Sequence, residues 1–229
     1  MKHILSIITS LLISIGVYAQ SDVTRFLDIP VEGKKNELFK KIKAKGFKTT
    51  KFANDKVLTG RFNGEEVYVD AATNENNEVY RVIVWDNNPC NERTAKIKFN
   101  NLCYQFKENP KYISDRDWSI PEDDDVSYEL KYGKKNYQAV FFQWPTEIGD
   151  SIIRDQVVGQ YFLNQLQGQY EEQSEEVSHQ EIENIYMEKL SDLSSKKRVW
   201  FTIMENGPFK YSIVMYYENA YNMANGEDL

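Results

Sequence analysis

The residue types that most often carry out catalysis are sparse in this sequence. Nucleophilic catalysis needs a histidine or an equivalent base beside a serine or cysteine, and the chain holds only His3 and His179. His179 falls near the start of a predicted helix, where a solvated surface position explains it better than a general base does. Cys90 would become a reactive thiolate only if a helix N-terminus lowered its pKa. The sequence therefore nominates no catalytic residue.

Clusters that could hold a metal ion are equally weak. Zinc sites need several histidines or cysteines at short spacings, and two distant cysteines with one histidine do not provide them. Residues 111–125 offer oxygen ligands for a hard cation such as calcium, but they lack the glycine that calcium loops use for their sharp turn. We interpret this stretch as a solvated acidic loop and predict no metal and no cofactor. Its acids are Asp115, Asp117, Glu122, Asp123, Asp124 and Asp125.

Two carboxylates can also hydrolyse glycosides without any histidine. The 35 acidic residues leave such a pair possible without nominating one. Glu66, Asp70 and Glu129 fall on predicted strands, where alternation points their side chains to solvent. The sequence contains no P-loop, GxGxxG or GxSxG pattern.

Aromatic residues are abundant, at 14% of the chain, and they crowd two predicted hairpins. Aromatic strand residues mostly pack sheets. Where their rings reach a solvent-facing surface, they become stacking platforms for sugars or protein side chains. Core packing is the simpler interpretation of this set. Its members are Tyr128, Tyr132, Tyr137, Phe141, Phe142 and Trp144 in one hairpin, and Tyr211, Tyr216, Tyr217 and Tyr221 near the other.

The chain is acidic, with a formal net charge of −7, which disfavours nucleic acid as a partner. Its charges are unevenly distributed, because acids concentrate at 115–129 and 171–192. Lysines concentrate in the first predicted helix. We interpret this asymmetry as ordinary solvated faces. The lysines are Lys34, Lys35, Lys40, Lys41, Lys43 and Lys45.

The N-terminus has the pattern of a removable export signal. Lys2 precedes an apolar stretch over residues 4–15, and small or short apolar side chains, Val17 and Ala19, occupy the positions three and one before Gln20. We predict cleavage between Ala19 and Gln20, which makes 1–19 a signal peptide and places the mature chain in the periplasm or outside the cell. The stretch is too short for a permanent anchor, and no later run of 18 apolar residues exists, so the mature chain is predicted not to span a membrane.

The two cysteines, Cys90 and Cys103, invite a disulfide in an oxidising compartment. A helix predicted over 92–107 would separate their Cα atoms by about 20 Å, whereas a disulfide needs less than about 7 Å. We therefore expect a buried thiol at Cys103 and an unpaired one at Cys90. A helix that began several residues later would restore the bridge.

Hydrophobic periodicity divides the chain into elements in the order αβββαββααββ. Asn63-Gly64 between two alternating runs predicts a hairpin. Ser178 followed by Glu181 predicts a capping box that opens the fourth helix. The predicted elements are a helix between Gly33 and Gly46; strands over 57–62, 66–73 and 79–85; a helix over 92–107; strands over 126–132 and 136–144; helices over 153–165 and 178–198; and strands over 199–205 and 209–217.

Every strand connection short enough to interpret is a hairpin. We therefore predict an α+β fold with an antiparallel sheet, built from a three-strand meander and two hairpins, and with helices packed on one side. Residues 20–229 are predicted to form a single domain, with 20–110 and 111–229 as possible sub-units. In element order alone, the first half loosely resembles the small αβββ units of the PepSY and BLIP-like folds.

Three stretches that together span most of the mature chain carry a family resemblance. They are Phe26-Leu27-Asp28-Ile29-Pro30-Val31-Glu32-Gly33 running into 38–47; Phe99-Asn100-Asn101-Leu102-Cys103; and the ending from Val199-Trp200-Phe201 through Tyr221-Asn222 to Asn225-Gly226-Glu227-Asp228-Leu229. They resemble a family of uncharacterised exported proteins of Bacteroidetes. The resemblance implies export and the fold class. Because that family has no established activity, no site residue is carried over.

The missing catalytic machinery favours a non-enzymatic exported binding or accessory module, with an aromatic sheet face or the polar C-terminal segment holding a protein or glycan partner. Two alternatives stay open. One is a carboxylate-based hydrolase, and the other is a structural or assembly component of the cell envelope. The oligomeric state is not readable from the sequence.

Overall fold

The computed structural model describes residues 22–166 and 175–223. The predicted cleavage site at Ala19 and Gln20 lies outside the described residues. Within the described residues, no helix combines the length and the apolar character needed to cross a bilayer.

The described chain contains ten strands and five α-helices, of which α3 is a single turn continued by a π-helical turn over Glu129–Gly133. A 3-10 turn over Ala220–Asn222 follows the last strand. The elements are β1 (Arg25–Phe26), β2 (Ile29–Pro30), α1 (Lys35–Ala44), β3 (Lys48–Phe52), β4 (Asp55–Phe62), β5 (Glu65–Thr73), β6 (Val79–Asp86), α2 (Glu92–Glu108), β7 (Tyr112–Ile113), α3 (Val126–Tyr128), β8 (Gln138–Gln143), α4 (Glu147–Leu166), α5 (Glu175–Ser195), β9 (Arg198–Glu205) and β10 (Tyr211–Glu218).

Eight of the strands form one antiparallel sheet in the order β3-β4-β5-β6-β10-β9-β8-β7, and β1 pairs with β2 in a second, small sheet. The sheet and its helices confirm the predicted α+β class. The pairing of β6 with β10 joins the N-terminal meander to the C-terminal hairpin. This pairing between distant segments is what makes the sheet continuous.

The β4–β5 hairpin turns where the sequence predicts it. Asn63 and Gly64 have φ angles of 49° and 84°, the left-handed conformation that a two-residue hairpin turn needs. In β5 the alternation is regular, because Val67, Val69 and Ala71 are buried while the residues between them are partly exposed.

One face of the sheet packs into the main hydrophobic core. Helix α1 contributes Leu38 and Ile42, at the i, i+4 spacing of one helix face. Helix α2 contributes Phe99, whose ring centroid lies 5.0 Å from that of Phe201 on β9. The spacing that predicted this helix over 92–107 is confirmed, because Ala95, Phe99, Cys103 and Phe106 are its buried residues.

The strand predicted over 126–132 is wrong, and the order αβββαββααββ is corrected accordingly. Asp125 accepts a hydrogen bond from the backbone N–H of Tyr128, as an N-cap residue does, and Glu92 accepts one from the N–H of Val126. These local hydrogen bonds favour a helical turn over a strand. Strand β3 was also missed. It pairs with β4 along its whole length, and three of its five residues are lysine or phenylalanine at exposed positions.

The predicted capping box at Ser178 is wrong as well. Helix α5 begins at Glu175, so Ser178 lies inside the helix. Helix α4 begins at Glu147, and its N-terminal cap is Thr146, whose Oγ1 accepts a hydrogen bond from the N–H of Gly149 at 3.3 Å.

The described residues form two compact units. The larger contains Val23–Trp144 and the chain from Ser194 onward, which includes the whole sheet. The smaller contains Asp22 and the described residues of Pro145–Leu193, and its core is built from Ile153, Val157 and Leu190. The single domain over 20–229 stays a prediction.

Candidate functional site

Three aromatic rings form a cluster on the face of the sheet opposite the main core, and we call it the aromatic platform. It consists of Phe52 on β3, Tyr68 on β5 and Trp85 on β6. The ring centroids are 5.1 Å apart for Phe52 and Tyr68, 5.3 Å for Phe52 and Trp85, and 5.6 Å for Tyr68 and Trp85.

Strand alternation explains why these rings face away from the core. Tyr68 lies between the buried Val67 and Val69, and it is the register partner of Trp85 on the neighbouring strand. Phe52 ends the edge strand, and 44% of its surface is exposed. Tyr68 and Trp85 are half-buried, so the platform presents chiefly the Phe52 ring to solvent.

A second aromatic pair lies on the same face. Trp200 and Tyr216 stack with 4.0 Å between ring centroids and 18° between ring planes. The guanidinium of Arg81 lies 5.4 Å from the ring centre of Tyr216, and the Nη2 of Arg81 pairs with Oε1 of Glu218 at 2.6 Å. Arg198 pairs with the other oxygen of Glu218. Both rings are half-buried, and they are held by stacking and by Arg81. We therefore interpret this pair as packing of the sheet.

Many of the aromatic residues singled out in the sequence pack the core. Tyr137, Phe141, Tyr211 and Tyr217 are buried there, as core packing predicts. Tyr128 and Tyr132 are exposed, but they lie on the helical turn after Asp125 and not on a strand. The aromatic platform consists of other residues, Phe52, Tyr68 and Trp85, which no sequence pattern singled out.

A polar cluster lies in a cleft of the larger unit. The Nζ of Lys98 lies 3.1 Å from Oε2 of Glu65 and 3.6 Å from Oδ2 of Asp86. These two oxygens are therefore at most about 6.7 Å apart, the sum of the two distances. The cleft has a volume of about 130 Å³, and its apolar walls include Phe62, Leu102 and Met215. Two carboxylates thus converge on one ammonium group.

Burial and the neighbouring charges shift the pKa values of Asp86 and Lys98. Desolvation raises the pKa of Asp86, although its carboxylate accepts a hydrogen bond from the N–H of Ile213 at 3.1 Å. Desolvation lowers the pKa of Lys98, but the hydrogen bond to Glu65 and the charge of Asp86 outweigh it, so the net shift is upward. Lys98 therefore stays charged between its two partners.

Neither cysteine has the environment of an activated nucleophile. Both thiols are free, with Cys103 buried and Cys90 half-buried, as predicted. Burial raises the pKa of both, that of Cys103 to about 12. Cys90 precedes α2, but its backbone pairs with Tyr211 and its thiol donates to the carbonyl of that residue at 3.6 Å.

The remaining candidates are dispersed over the fold. His179 is exposed on α5 and Glu66 is exposed on β5. The carboxylate of Asp70 pairs with Lys35 at 2.7 Å, whereas Glu129 lies in the π-helical turn. No group of three or more metal-ligating side chains occurs among residues 22–166 and 175–223.

The acidic loop is held by local contacts. Asp124 pairs with Lys135, and Asp115 pairs with Arg116 at 2.9 Å. Asp117 accepts hydrogen bonds from both the N–H and the hydroxyl of Ser119. These carboxylates therefore stabilise local turns and form ion pairs with neighbouring residues.

Comparisons with protein-family models, with curated proteins and with solved structures find no match to this chain.

Proposed function

We propose that this chain is an exported, non-enzymatic binding module, and that its aromatic platform holds a protein or glycan partner. The observation that carries the proposal is the exposed ring of Phe52 packed against Tyr68 and Trp85. Tyrosine and tryptophan are enriched where proteins bind partners, because their rings offer large contact areas at low cost in conformational entropy. Sugar rings stack on such surfaces through their apolar faces.

Export to the periplasm or beyond the cell belongs to the same proposal. It is supported by the apolar stretch over 4–15 and the small residues before Gln20. The proposal includes membership of the Bacteroidetes family of exported proteins, which the resemblance of 26–33, 99–103 and 199–229 supports. The mature chain would then meet its partner in the cell envelope or outside it.

The test is affinity purification of the tagged protein from its own host's envelope fraction, followed by crosslinking and mass spectrometry, in parallel with a glycan array. Each is run with wild type, Phe52→Ala and Phe209→Ala. Phe209 is a matched control, because it is 76% exposed and lies outside the platform. We expect a partner or glycan that binds wild type and Phe209→Ala but binds Phe52→Ala at least tenfold more weakly.

Equal loss in both variants, or no loss in either, would count against the platform. A stable stoichiometric complex that survives Phe52→Ala would favour a structural or assembly role. Each result separates two of the interpretations that the sequence left open.

A second candidate function rests on the polar cleft. The oxygens of Glu65 and Asp86 that face Lys98 are at most about 6.7 Å apart, an upper bound that allows the roughly 5–5.5 Å separation of retaining glycoside hydrolases. Two features argue against it. Lys98 occupies the space between the carboxylates, and a 130 Å³ cleft is small beside substrate pockets of about 300 Å³ or more. Hydrolysis of any glycan that is abolished by Asp86→Asn and by Glu65→Gln would establish this candidate in place of the binding module.

A further inference from the structure

The platform borders a segment with an unusual concentration of positive charge. Residues 34–56 contain nine lysines and only two acids, Glu37 and Asp55, for a net charge of +7 in a chain of −7. The rest of the sequence therefore carries −14. We call this segment, which comprises α1, β3 and the start of β4, the lysine surface. Its lysines are Lys34, Lys35, Lys40, Lys41, Lys43, Lys45, Lys48, Lys51 and Lys56.

Most of these lysines have no acidic side chain paired with them among the described residues. Lys35 pairs with Asp70, and the ammonium of Lys34 donates to the carbonyl of Asn76 at 2.7 Å. The other seven lysines are exposed, and within residues 22–166 and 175–223 they make no ion pair. An acidic protein that leaves seven neighbouring cations uncompensated has a strong local positive potential there.

One pair of these lysines is unfavourable for the pairing of β3 with β4. Lys51 on β3 and Lys56 on β4 are direct register partners. Like charges directly opposite each other destabilise an antiparallel pair. Lysines on an edge strand protect it from pairing with other chains, and this explains Lys48 and Lys51. It does not explain Lys56 on the inner strand or the lysines of α1.

The aromatic platform and the lysine surface meet along the edge strand β3, at Phe52. This residue ends β3 one residue after Lys51, and its ring contacts Tyr68 and Trp85. Alternation puts Phe52 and Lys48 on one face of this edge and Lys51 on the other, so a partner that runs over the edge meets the ring and ammonium groups on both faces. The charges run along ten residues of helix and five of strand, roughly 15 Å each. A single small anion cannot reach lysines that are spread over such lengths.

We infer that the lysine surface and Phe52 together form a docking site for an anionic polysaccharide, one that carries carboxylate or sulfate groups along its chain. This inference deepens the proposed function, on which it rests, by naming the chemical class of the partner. Repeated anionic groups match the spaced ammonium groups, and a sugar face stacks on the Phe52 ring. Binding releases counterions, so affinity falls steeply as salt rises.

The experiment measures binding of heparin, polygalacturonate and neutral dextran to the mature protein by calorimetry at several salt concentrations. The test variant is Lys48→Gln with Lys51→Gln and Lys56→Gln. The control variant is Lys107→Gln with Lys134→Gln and Lys210→Gln, which removes three exposed lysines from elsewhere. We expect an anionic polymer to bind wild type and the control with similar affinity, the test variant at least tenfold more weakly, and dextran not at all.

Three results would overturn the inference. If neither anionic polymer binds at low salt, the site does not exist. Equal losses in the test and control variants would show a response to net charge alone. Equally tight binding of a DNA duplex, or of the protein's own acidic surface in a self-association assay, would show that a polysaccharide is not selected.

The proposed function can survive these failures. A neutral glycan or a protein partner that requires Phe52 but not the three lysines would keep the binding module and remove the anionic polymer. Conversely, an anionic polymer whose binding tolerates Phe52→Ala would retain the lysine surface and remove the aromatic platform. Circular dichroism and melting temperature confirm that each variant is folded.

Discussion

Asp86 and Lys98 form an ion pair, with 3.6 Å between Oδ2 and Nζ, that does not hold the pKa of the carboxyl at its usual value. Burial raises that pKa, and the hydrogen bond from Ile213 and the charge of Lys98 offset the shift only in part. The ionised carboxylate therefore lowers the stability of the fold at neutral pH, and it lies in a cleft whose walls also carry Glu65 and Lys98.

The sign of the linkage gives the first prediction. The pKa of Asp86 in the folded protein is above 3.8, its ordinary value, so the folded state binds this proton more tightly than the unfolded state does. Ionised Asp86 then lowers stability at pH values above its folded pKa, and this penalty disappears as the pH falls below 3.8. Asp86→Asn, which keeps an acceptor for the Ile213 N–H, should raise the free energy of unfolding at pH 7.

Urea denaturation of wild type and Asp86→Asn between pH 3 and pH 8 checks this prediction. The stability difference should shrink towards zero at the acid end. Asp28→Asn is the control, because Asp28 is 75% exposed in its pair with Lys111. A loss of stability that is the same at every pH would show that the carboxylate acts through packing and not through its charge.

Local patterns in the sequence predicted much of the fold. The i, i+4, i+7 spacing that ends at Phe106 located α2 within a residue at either end, and Asn63-Gly64 located the β4–β5 turn. Local signals failed where side-chain hydrogen bonds decide the conformation. The aromatic residues at 126–132 suggest a strand, but Asp125 caps a helical turn there.

The candidate sites depend on contacts between distant segments, which no local pattern encodes. Glu65, Asp86 and Lys98 come from two strands and a helix, and nothing in their spacing marks them as neighbours. Phe52 was missed because β3 was missed. The alternation of Lys48, Thr50 and Phe52 on one face was a usable signal, but the lysines on either side of it resembled a solvated segment.

The second prediction concerns a buried carboxylate. Glu218 is 1% exposed and pairs with both Arg81 and Arg198. Hydrogen bonds between charged groups contribute about 1.5–3 kcal/mol where they are shielded from water, so Glu218→Gln should lower the free energy of unfolding by about that amount. Asp28→Asn, which breaks an exposed pair, should cost less than about 1 kcal/mol. Chemical denaturation at pH 7 measures both, and equal costs would contradict the burial argument.

The third prediction uses two glycines with opposite surroundings. A Cβ atom added at Gly60 on β4 would lie 2.6 Å from Cδ1 of Phe47, whose ring is buried. We expect Gly60→Ala to lower stability by about 1–3 kcal/mol, because the core must shift to admit the methyl group. At Gly159 in α4, nothing lies within 4 Å of an added Cβ. Gly159→Ala should therefore stabilise the protein by about 0.5–1 kcal/mol.

Thermal unfolding of both alanine variants gives the comparison. Opposite signs are expected from the same chemical change, so the sign itself is the readout. Destabilisation at both positions would show that the backbone conformation, and not the space around the Cβ, determines the cost.

The last prediction concerns the two thiols, whose accessibility differs. Burial raises the pKa of Cys103 to about 12, so about 10⁻⁴ of this thiol is ionised at pH 8. Iodoacetamide at that pH should leave Cys103 unmodified in the folded protein and modify the half-buried Cys90 slowly. In denaturant both should react fully, which mass spectrometry counts directly.

The same experiment tests the disulfide. Helix α2 begins two residues after Cys90 and carries Cys103 on its buried face, so the two sulfurs cannot meet while the helix is intact. The melting temperature should therefore be unchanged by a reducing agent, and Cys90→Ser should remove the slow alkylation without lowering that temperature appreciably. An unreduced sample whose thiols stay blocked to iodoacetamide in denaturant would show a bridge, and with it an α2 that starts later than Glu92. The alkylation pattern thus reports both the chemistry of the thiols and the N-terminal boundary of the helix that covers the sheet.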